Sequence, residues 1–272
     1  MYAINKLYNC GIFQGAARHR HYFEGWYFKH VDKGEQNELS VIPGVSIKEN
    51  ESNSHAFIQI LDGRTYKTYY IRYGIEEFSF SKRNFELTIG NNRFSDKGIK
   101  LDIVHEDITL QGSLTYSKLI HWPSGITSPN SMGWYAYIPI MECYHGVLSL
   151  QHNILGQIKL NDRMIDFDGG IGYMEKDWGT SFPSSWIWLQ SNHFDIANTS
   201  LMLSIAKIPW NQRSFVGLLS GLWYEGKVYR FATYTMSIKL HNKKTDRIIL
   251  ETKAHCCGME IAGNIQELIT QP

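Results

Sequence analysis

Apolar side chains recur at every second position along much of this 272-residue chain, the period of a β-strand, whose successive side chains point to opposite faces. The longest run spans Val147 to Leu160, with Leu148, Leu150, Ile154, Ile158 and Leu160 on one face and Ser149, Gln151, Asn153, Gln157 and Lys159 on the other. His152 and Gly156 interrupt the apolar face, and Gly156 is a point where a long strand can bend. Asn161-Asp162-Arg163 then turns into Met164, Ile165 and Phe167, which predicts a hairpin. Ile99, Leu101 and Ile103 turn through Glu106-Asp107 into Ile108, Leu110 and Leu114 in the same way. So do Phe85–Ile89 at Gly90-Asn91-Asn92, and Trp223-Tyr224 through Glu225-Gly226 into Val228, Tyr229 and Phe231. No long amphipathic helix competes with this pattern; Gln266 to Ile269 reads as a short terminal helix. The sequence therefore predicts an all-β barrel or sandwich fold.

The strand order repeats. Gly25–His30, Leu39–Pro43, Phe57–Gly63 and the tyrosines up to Tyr70 are echoed by Ser185–Gln190, Leu203–Ala206, Phe215–Gly221 and Tyr224–Tyr229. Each series is an aromatic strand, a second strand, and a strand ending at glycine before a tyrosine-rich one. Two similar antiparallel β units are expected, residues 1–177 and 178–272, packed together with the join near Asp177-Trp178-Gly179. The second has much less chain and lacks the last hairpin, which leaves its barrel open or its C-terminal end trimmed.

Composition narrows the function classes. Lys plus Arg is 27 and Asp plus Glu is 26, so a net charge of +1 gives no global pull toward nucleic acid. No segment reaches the run of about 18 apolar residues needed to span a membrane. The stretch Met1–Leu7 is too short of apolar residues for a secretory signal. A soluble, cytoplasmic protein is expected, with peripheral membrane contact left open. The thiols Cys10, Cys143, Cys256 and Cys257 show no framework or zinc spacing and are read as reduced. Aromatic residues reach 14%, a density that favours strands and large apolar pockets.

Seven of the eight tryptophans lie between Trp122 and Trp223, and two unusual strings sit in that window. One runs from Met132 through Trp134, Glu142 and His145 to Gly146; the other runs from Asp168 through Tyr173, Glu175, Asp177 and Trp178 to Trp188. Both set carboxylates among aromatics, and water-excluding walls keep a carboxyl protonated so that it can act as an acid. With Tyr22-Phe23-Glu24-Gly25-Trp26-Tyr27-Phe28-Lys29, these strings resemble the tocopherol cyclase family from about His21 to Cys257, and more distantly the carotenoid hydratases and related two-domain lipocalin-like proteins. The resemblance implies two lipocalin-like barrels and a cofactor-free reaction on an apolar substrate, a prenylated hydroquinone. In that reaction an acid protonates a tail alkene and the phenol oxygen closes a chroman ring on the tertiary cation.

The hydratase string of Gly-Tyr-x-acid before Trp-Gly falls on Gly172, Tyr173 and Glu175, followed by Trp178-Gly179, with Glu here in place of Asp. That makes Glu175 the first choice of proton donor. Asp177 is second, since alternation puts it on the face of Tyr173 and Glu175. His145 is the expected base for the phenol, with Glu142 to orient it. Trp26, Trp134, Tyr173, Trp178, Trp186 and Trp188 are expected around an enclosed pocket, with Glu24 as a further substrate contact.

Plainer readings stand beside these. Glu175-Lys176-Asp177 also fits a charged strand end, His145 a structural histidine, Trp186 and Trp188 core packing, and Glu24 a Lys or Arg partner across the barrel. No metal site is expected: His19-x-His21 lacks a third ligand. Asp168-Gly169-Gly170 reads as a tight turn, without the Lys-Ser/Thr of a phosphate loop. A non-catalytic carrier of an apolar isoprenoid or lipid and a hydratase of isoprenoid alkenes are the competing functions. A carrier needs the cavity but no buried acid.

Overall fold

The computed structural model describes residues 2–16, 21–49, 51–139, 141–210, 213–235, 238–241 and 249–252. Cys256, Cys257, His19 and the expected helix at Gln266–Ile269 lie outside the described residues. A short helix α1 (Tyr2–Tyr8) precedes the strands β1 (Tyr22–Val31), β2 (Glu38–Ile47), β3 (His55–Asp62), β4 (Lys67–Gly74), β5 (Phe78–Phe80), β6 (Glu86–Ile89), β7 (Asn92–Ser95), β8 (Gly98–His105) and β9 (Ile108–Ser117). Then come β10 (Cys143–Leu160), β11 (Arg163–Asp166), β12 (Ile171–Gly179), β13 (Trp186–Ser191), β14 (Ser200–Trp210), β15 (Arg213–Tyr224), β16 (Lys227–Ala232), β17 (Ile238–His241) and β18 (Ile249–Thr252). The chain is all-β, as the period-two pattern predicts. The hairpins expected at Glu106-Asp107, Gly90-Asn91 and Asn161-Asp162 join β8 to β9, β6 to β7 and β10 to β11. Glu225 and Gly226, both at positive φ, join β15 to β16 as two-residue hairpin turns require.

Twelve strands form one antiparallel sheet in the order β4-β3-β2-β1-β12-β10-β9-β8-β7-β6-β5, with β11 on the side of β10. The two ends of this order do not pair by backbone hydrogen bonds, so the sheet is rolled rather than closed into the expected barrel. Its ends meet through side chains, as where Asn92 Nδ2 donates to the Tyr73 hydroxyl at 3.3 Å. The second unit is a four-stranded meander, β13-β14-β15-β16, repeating the order of the meander β1-β2-β3-β4. β17 and β18 pair separately, so the described residues of this unit do not form a closed barrel. The boundary expected at Asp177/Trp178 falls inside β12; the change of sheet comes between Gly179 and Trp186.

Two layers of core follow from this arrangement. Inside the roll, Trp26, Phe28, Leu39, Ile58, Phe94, Leu110 and Ile158 form one large cluster with Met174 and Trp178. Outside it, Trp122, Val147, Leu150 and Tyr173 meet Met202 and Leu219 of the second sheet. β10 serves both layers because its pairing with β12 shifts register between Val147 and Ser149, and again between Ser149 and His152. Each such bulge reverses the side-chain parity. The single apolar face expected from Leu148 to Leu160 is therefore corrected: Leu150 faces the second sheet, while Leu148, Ile154, Ile158 and Leu160 pack inside the roll.

The interior of the roll also holds a fully buried ion pair. Lys176 Nζ lies 2.5 Å from Glu24 Oε1, and neither side chain is exposed. Lys176 also donates to the carbonyls of Cys10 and Ile12, and the Trp26 and Trp178 rings flank its ammonium at 4.7 and 4.9 Å. Glu24 accepts from the backbone N–H groups of Gln14 and Gly15 and, at 2.5 Å, from the Tyr22 hydroxyl. Taking two ions out of water costs several kcal/mol each, so the pair persists only because these contacts use all three ammonium protons and both carboxylate oxygens. Glu24 thus meets a lysine across the roll, the plainer of its two sequence readings.

Gly156 takes a backbone conformation in β10 that favours glycine. Its φ is +122°, and a Cβ there would lie 2.2 Å from the Ser113 carbonyl oxygen of β9. Gly156→Ala should therefore lower unfolding stability by at least about 1–3 kcal/mol, from backbone strain before any repacking. Denaturant titration of the two proteins measures the difference.

Candidate active site

The geometry of the site follows from β12, a central strand covered on both sides. Met174, Lys176 and Trp178 point into the roll; Tyr173, Glu175 and Asp177 point toward the second sheet. The register pairs His145 of β10 with Asp177 and Val147 with Glu175, which places the imidazole between the two carboxyls. His145 Nδ1 donates to Asp177 Oδ1 at 2.9 Å, and its Nε2 lies 3.4 Å from Glu175 Oε2. Glu175 Oε2 also accepts from the Tyr173 hydroxyl at 2.6 Å and from the Trp188 indole N–H at 3.1 Å. The result is a chain from Asp177 through His145 and Glu175 to Tyr173 and Trp188. His145 Nε2 is buried and makes no well-aligned hydrogen bond.

Electrostatics follow burial. Glu175 is 5% exposed, and desolvation raises its pKa above the usual carboxylate range. The His145 charge and the Tyr173 and Trp188 donors oppose the rise, and Asp177 adds to it. Burial alone would push the His145 imidazole down, but the Asp177 and Glu175 carboxylates outweigh it and lift the pKa to about 9. Burial also raises the Tyr173 phenol well above its ordinary value, so the hydroxyl remains a donor. Around neutral pH the His145–Glu175 pair therefore retains a proton in a site sheltered from water.

His145, Glu175, Asp177 and Trp188 line one wall of a cavity of about 300 Å³ between the sheets, partly open on one side. Apolar and aromatic side chains make most of the rest, among them Tyr27, Tyr135, Met141, Tyr144 and Phe215. Trp188 and Trp186 both line it, as their shared strand face predicts; Trp186 is 58% exposed beside Phe182, at the open side. Glu142 is exposed at the rim, and Asp177, not Glu142, holds the imidazole.

Four expected pocket aromatics lie elsewhere. Tyr173 is fully buried in the core between the sheets, where it donates to Glu175 without lining the cavity. Trp26 and Trp178 stand one residue out of phase with Tyr27 and Asp177, so they point into the roll, where Trp26 donates to the Gly11 carbonyl and Trp178 stacks on Tyr144. Trp134 is 46% exposed and stacks on Tyr135, which takes the place in the lining. Glu24 lies inside the roll with Lys176 and does not reach the cavity. The second-sheet wall of Ser204, Ala206 and Ile208 was not anticipated; its signal was the alternation of β14, which looks like any half-buried strand.

His145, Glu175 and Asp177 bring one ligand atom each within 4.8 Å of one another, the one such group among the described residues. The two carboxylates face opposite nitrogens of one ring, an arrangement suited to proton transfer. His21 is exposed 3.8 Å from Glu49. Asp168-Gly169-Gly170 is a turn, closed by the Gly170 N–H on the Phe167 carbonyl. Among the described residues, no helix is long and apolar enough to cross a membrane, and Cys10 and Cys143 are free thiols.

Comparison with known proteins places this site in a family. Residues 109–267 match the tocopherol cyclase-like family profile, and they contain His145, Tyr173, Glu175, Asp177 and Trp188. A probable chloroplastic tocopherol cyclase of Oryza sativa subsp. japonica is 30% identical over 113 residues, 40% of this chain and 24% of that protein. A chloroplastic tocopherol cyclase of Zea mays is 28% identical over 113 residues with the same shares. The match thus spans about a quarter of the length of these relatives. Among solved structures, a putative AttH from Nitrosomonas europaea superposes with a TM-score of 0.50 at 14% identity, over 84% of this chain and 76% of its own. CghA with Sch210972 superposes with a TM-score of 0.55 at 10% identity, over 86% and 72%. Those two share the lipocalin-like fold alone. The family profile covers more than half of the sequence, and the chain belongs to the tocopherol cyclase-like family.

Proposed function

We propose that this protein is an acid catalyst that closes a prenylated hydroquinone to a chromanol. The observation that carries the reading is a buried carboxyl, Glu175, held by Tyr173 and Trp188 beside His145 at an apolar cavity. A passive carrier has no use for a desolvated acid, which is costly to keep. Tyr173, Trp188 and His145 all converge on Oε2, so Oε1 is the oxygen left to carry the proton.

The steps balance within the site. Glu175 gives its proton to the less substituted carbon of a tail alkene, leaving a tertiary cation. Tyr27 and Trp188, aromatic faces on the cavity wall, stabilise that cation. The phenol oxygen bonds to it and closes the ring. His145 Nε2 takes the phenolic proton and returns it to the Glu175 carboxylate 3.4 Å away, so the His145–Glu175 pair again holds its one proton. Product and substrate have the same composition, and the site ends with the protons it began with. A cavity of about 300 Å³ is at the lower end of small-molecule sites and holds the reacting ring and adjoining alkene better than a whole tail.

The partial opening of the cavity favours a second reading. Water reaching the same cation would trap it as an alcohol, and the enzyme would be a hydratase. Incubation with geranylgeranyl- or phytyl-hydroquinone separates the two: the cyclised product keeps the substrate mass, and the hydrated one gains a water. No conversion of any such alkene, together with tight binding, would favour the carrier.

Glu175→Gln keeps the shape of the side chain but has no proton to give. Its turnover should fall by at least ~100-fold with substrate binding largely retained. A larger loss in Asp177→Asn, with Glu175→Gln active, would move the acid to Asp177. The pH dependence has a definite sign. The active site needs its shared proton, so turnover should be lost as pH rises through about 9, the raised value of His145. Asp177→Asn removes the carboxylate that most raises His145, so the alkaline limb of the kcat profile should move to lower pH.

A further inference from the structure

The segment Cys10–Gly15 forms no strand, yet it is deeply buried: Cys10 and Phe13 are each 6% exposed and Ile12 is fully covered. Its backbone polar groups are met by side chains rather than by a neighbouring strand. The Cys10 and Ile12 carbonyls accept from Lys176, the Gly11 carbonyl accepts from the Trp26 indole, and the Gln14 and Gly15 N–H groups donate to Glu24. Phe13 fills the space among Tyr22, Trp26, Phe78 and Phe80. This segment sits in the end of the roll as a bound peptide would, recognised through its main chain.

Lys176 lies between Glu175 and Asp177 in sequence, on the opposite face of β12. The same segment reaches β10: a Cβ on Gly146, next to His145, would lie 2.8 Å from Cys10 Sγ. The Leu7 carbonyl accepts from Asn130, and the adjoining Ser131 hydroxyl donates to the His145 carbonyl. Both strands of the site therefore rest on it from behind. Without the Cys10 and Ile12 carbonyls, the Lys176 ammonium would keep Glu24 alone as a hydrogen-bond partner in a site closed to water. An unmet buried charge is removed by moving the strand.

We infer that Cys10–Gly15 is a built-in ligand of the Lys176–Glu24 pair, and that through Lys176 it sets the position of Glu175 and Asp177. Lys176 is a positioning residue, and the end of the roll is occupied by the protein's own chain. The functional meaning rests on Glu175 as the acid; the placement itself does not.

The test reads the site without substrate, on the full-length chain. The reporter is the Trp188 indole N–H, which donates to Glu175, with its proton resonance assigned by Trp188→Phe. Gly15→Val displaces the segment, because a Cβ there meets Tyr22 at 2.3 Å; Gly11→Ala is milder, with Phe85 at 2.9 Å. Glu24→Gln/Lys176→Met removes the clasp itself. Ile103→Ala, deep in the roll and three strands from β12 in the sheet order, is the matched destabilised control. In the displaced variants the Gln14 amide should lose protection, and the Trp188 N–H should move upfield and exchange about tenfold faster or more, the loss of roughly one hydrogen bond. Ile103→Ala should leave that resonance in place at equal loss of stability. The inference is overturned if the Trp188 signal is unchanged in the clasp double variant or in a folded Gly15→Val, or if Ile103→Ala shifts it equally. If the signal responds but the protein converts no prenylated hydroquinone, the positioning stands and the proposed reaction fails.

Discussion

One strand carrying three consecutive charged residues, covered on both faces, sets the terms for the rest of this structure. Glu175 and Lys176 are buried and Asp177 is half-buried. A strand sends neighbours to opposite sides, so the lysine must be satisfied inside the roll and the two acids outside it. Inside, a complementary carboxylate, two carbonyls and two indole rings surround the ammonium. Outside, an imidazole, a phenol and an indole meet the acids. The two sets are not alike in kind. The inner set leaves no donor unused and holds a fixed charge, while the outer set leaves an imidazole nitrogen without an aligned partner beside a carboxyl with a raised pKa. One half of the strand is built for permanence and the other for a proton that can move.

That division explains why the acid can stand where it does. A carboxyl at an apolar wall is disfavoured as an anion, which helps an acid but weakens the fold that contains it. The backbone of β12 is held from the inner face, so the outer face carries the penalty without the strand shifting. The second sheet supplies the remainder, since Trp188 both donates to Glu175 and walls the cavity. The site is thus shared between a rolled sheet and a smaller meander, and neither alone contains it. The solved structures at 10–14% identity share the fold alone, and a shared fold at that distance leaves the chemistry to be decided by the side chains.

Much of this was legible in the residues. The alternation from Val147 to Leu160, the turn pairs and the repeated strand order led to an all-β chain with two related meanders. Tyr173, Glu175 and Asp177 were placed on one face by period alone, as were Trp186 and Trp188. The same period, applied one step further, would have put Trp178 and Trp26 on the far side; grouping tryptophans by their nearness in sequence concealed that. Leu150 could not be placed by period, because two bulges in β10 reverse the parity and bulges leave no apolar signature of their own.

Sequence by itself therefore determined the class of the fold, the strands and the faces on which the acids, Tyr173, Trp186 and Trp188 lie, because these depend on local geometry repeated every two residues. Only the tertiary structure decided which partner each face meets. The register of β10 against β12 put His145 between Glu175 and Asp177, which lie 30 and 32 residues from it in sequence, and gave the orienting role to Asp177 rather than Glu142. The choice of Lys176 for Glu24 likewise rests on contacts across the roll. Pairing across a sheet and packing between sheets are set by the sum of many distant contacts, and no short stretch of sequence contains that sum.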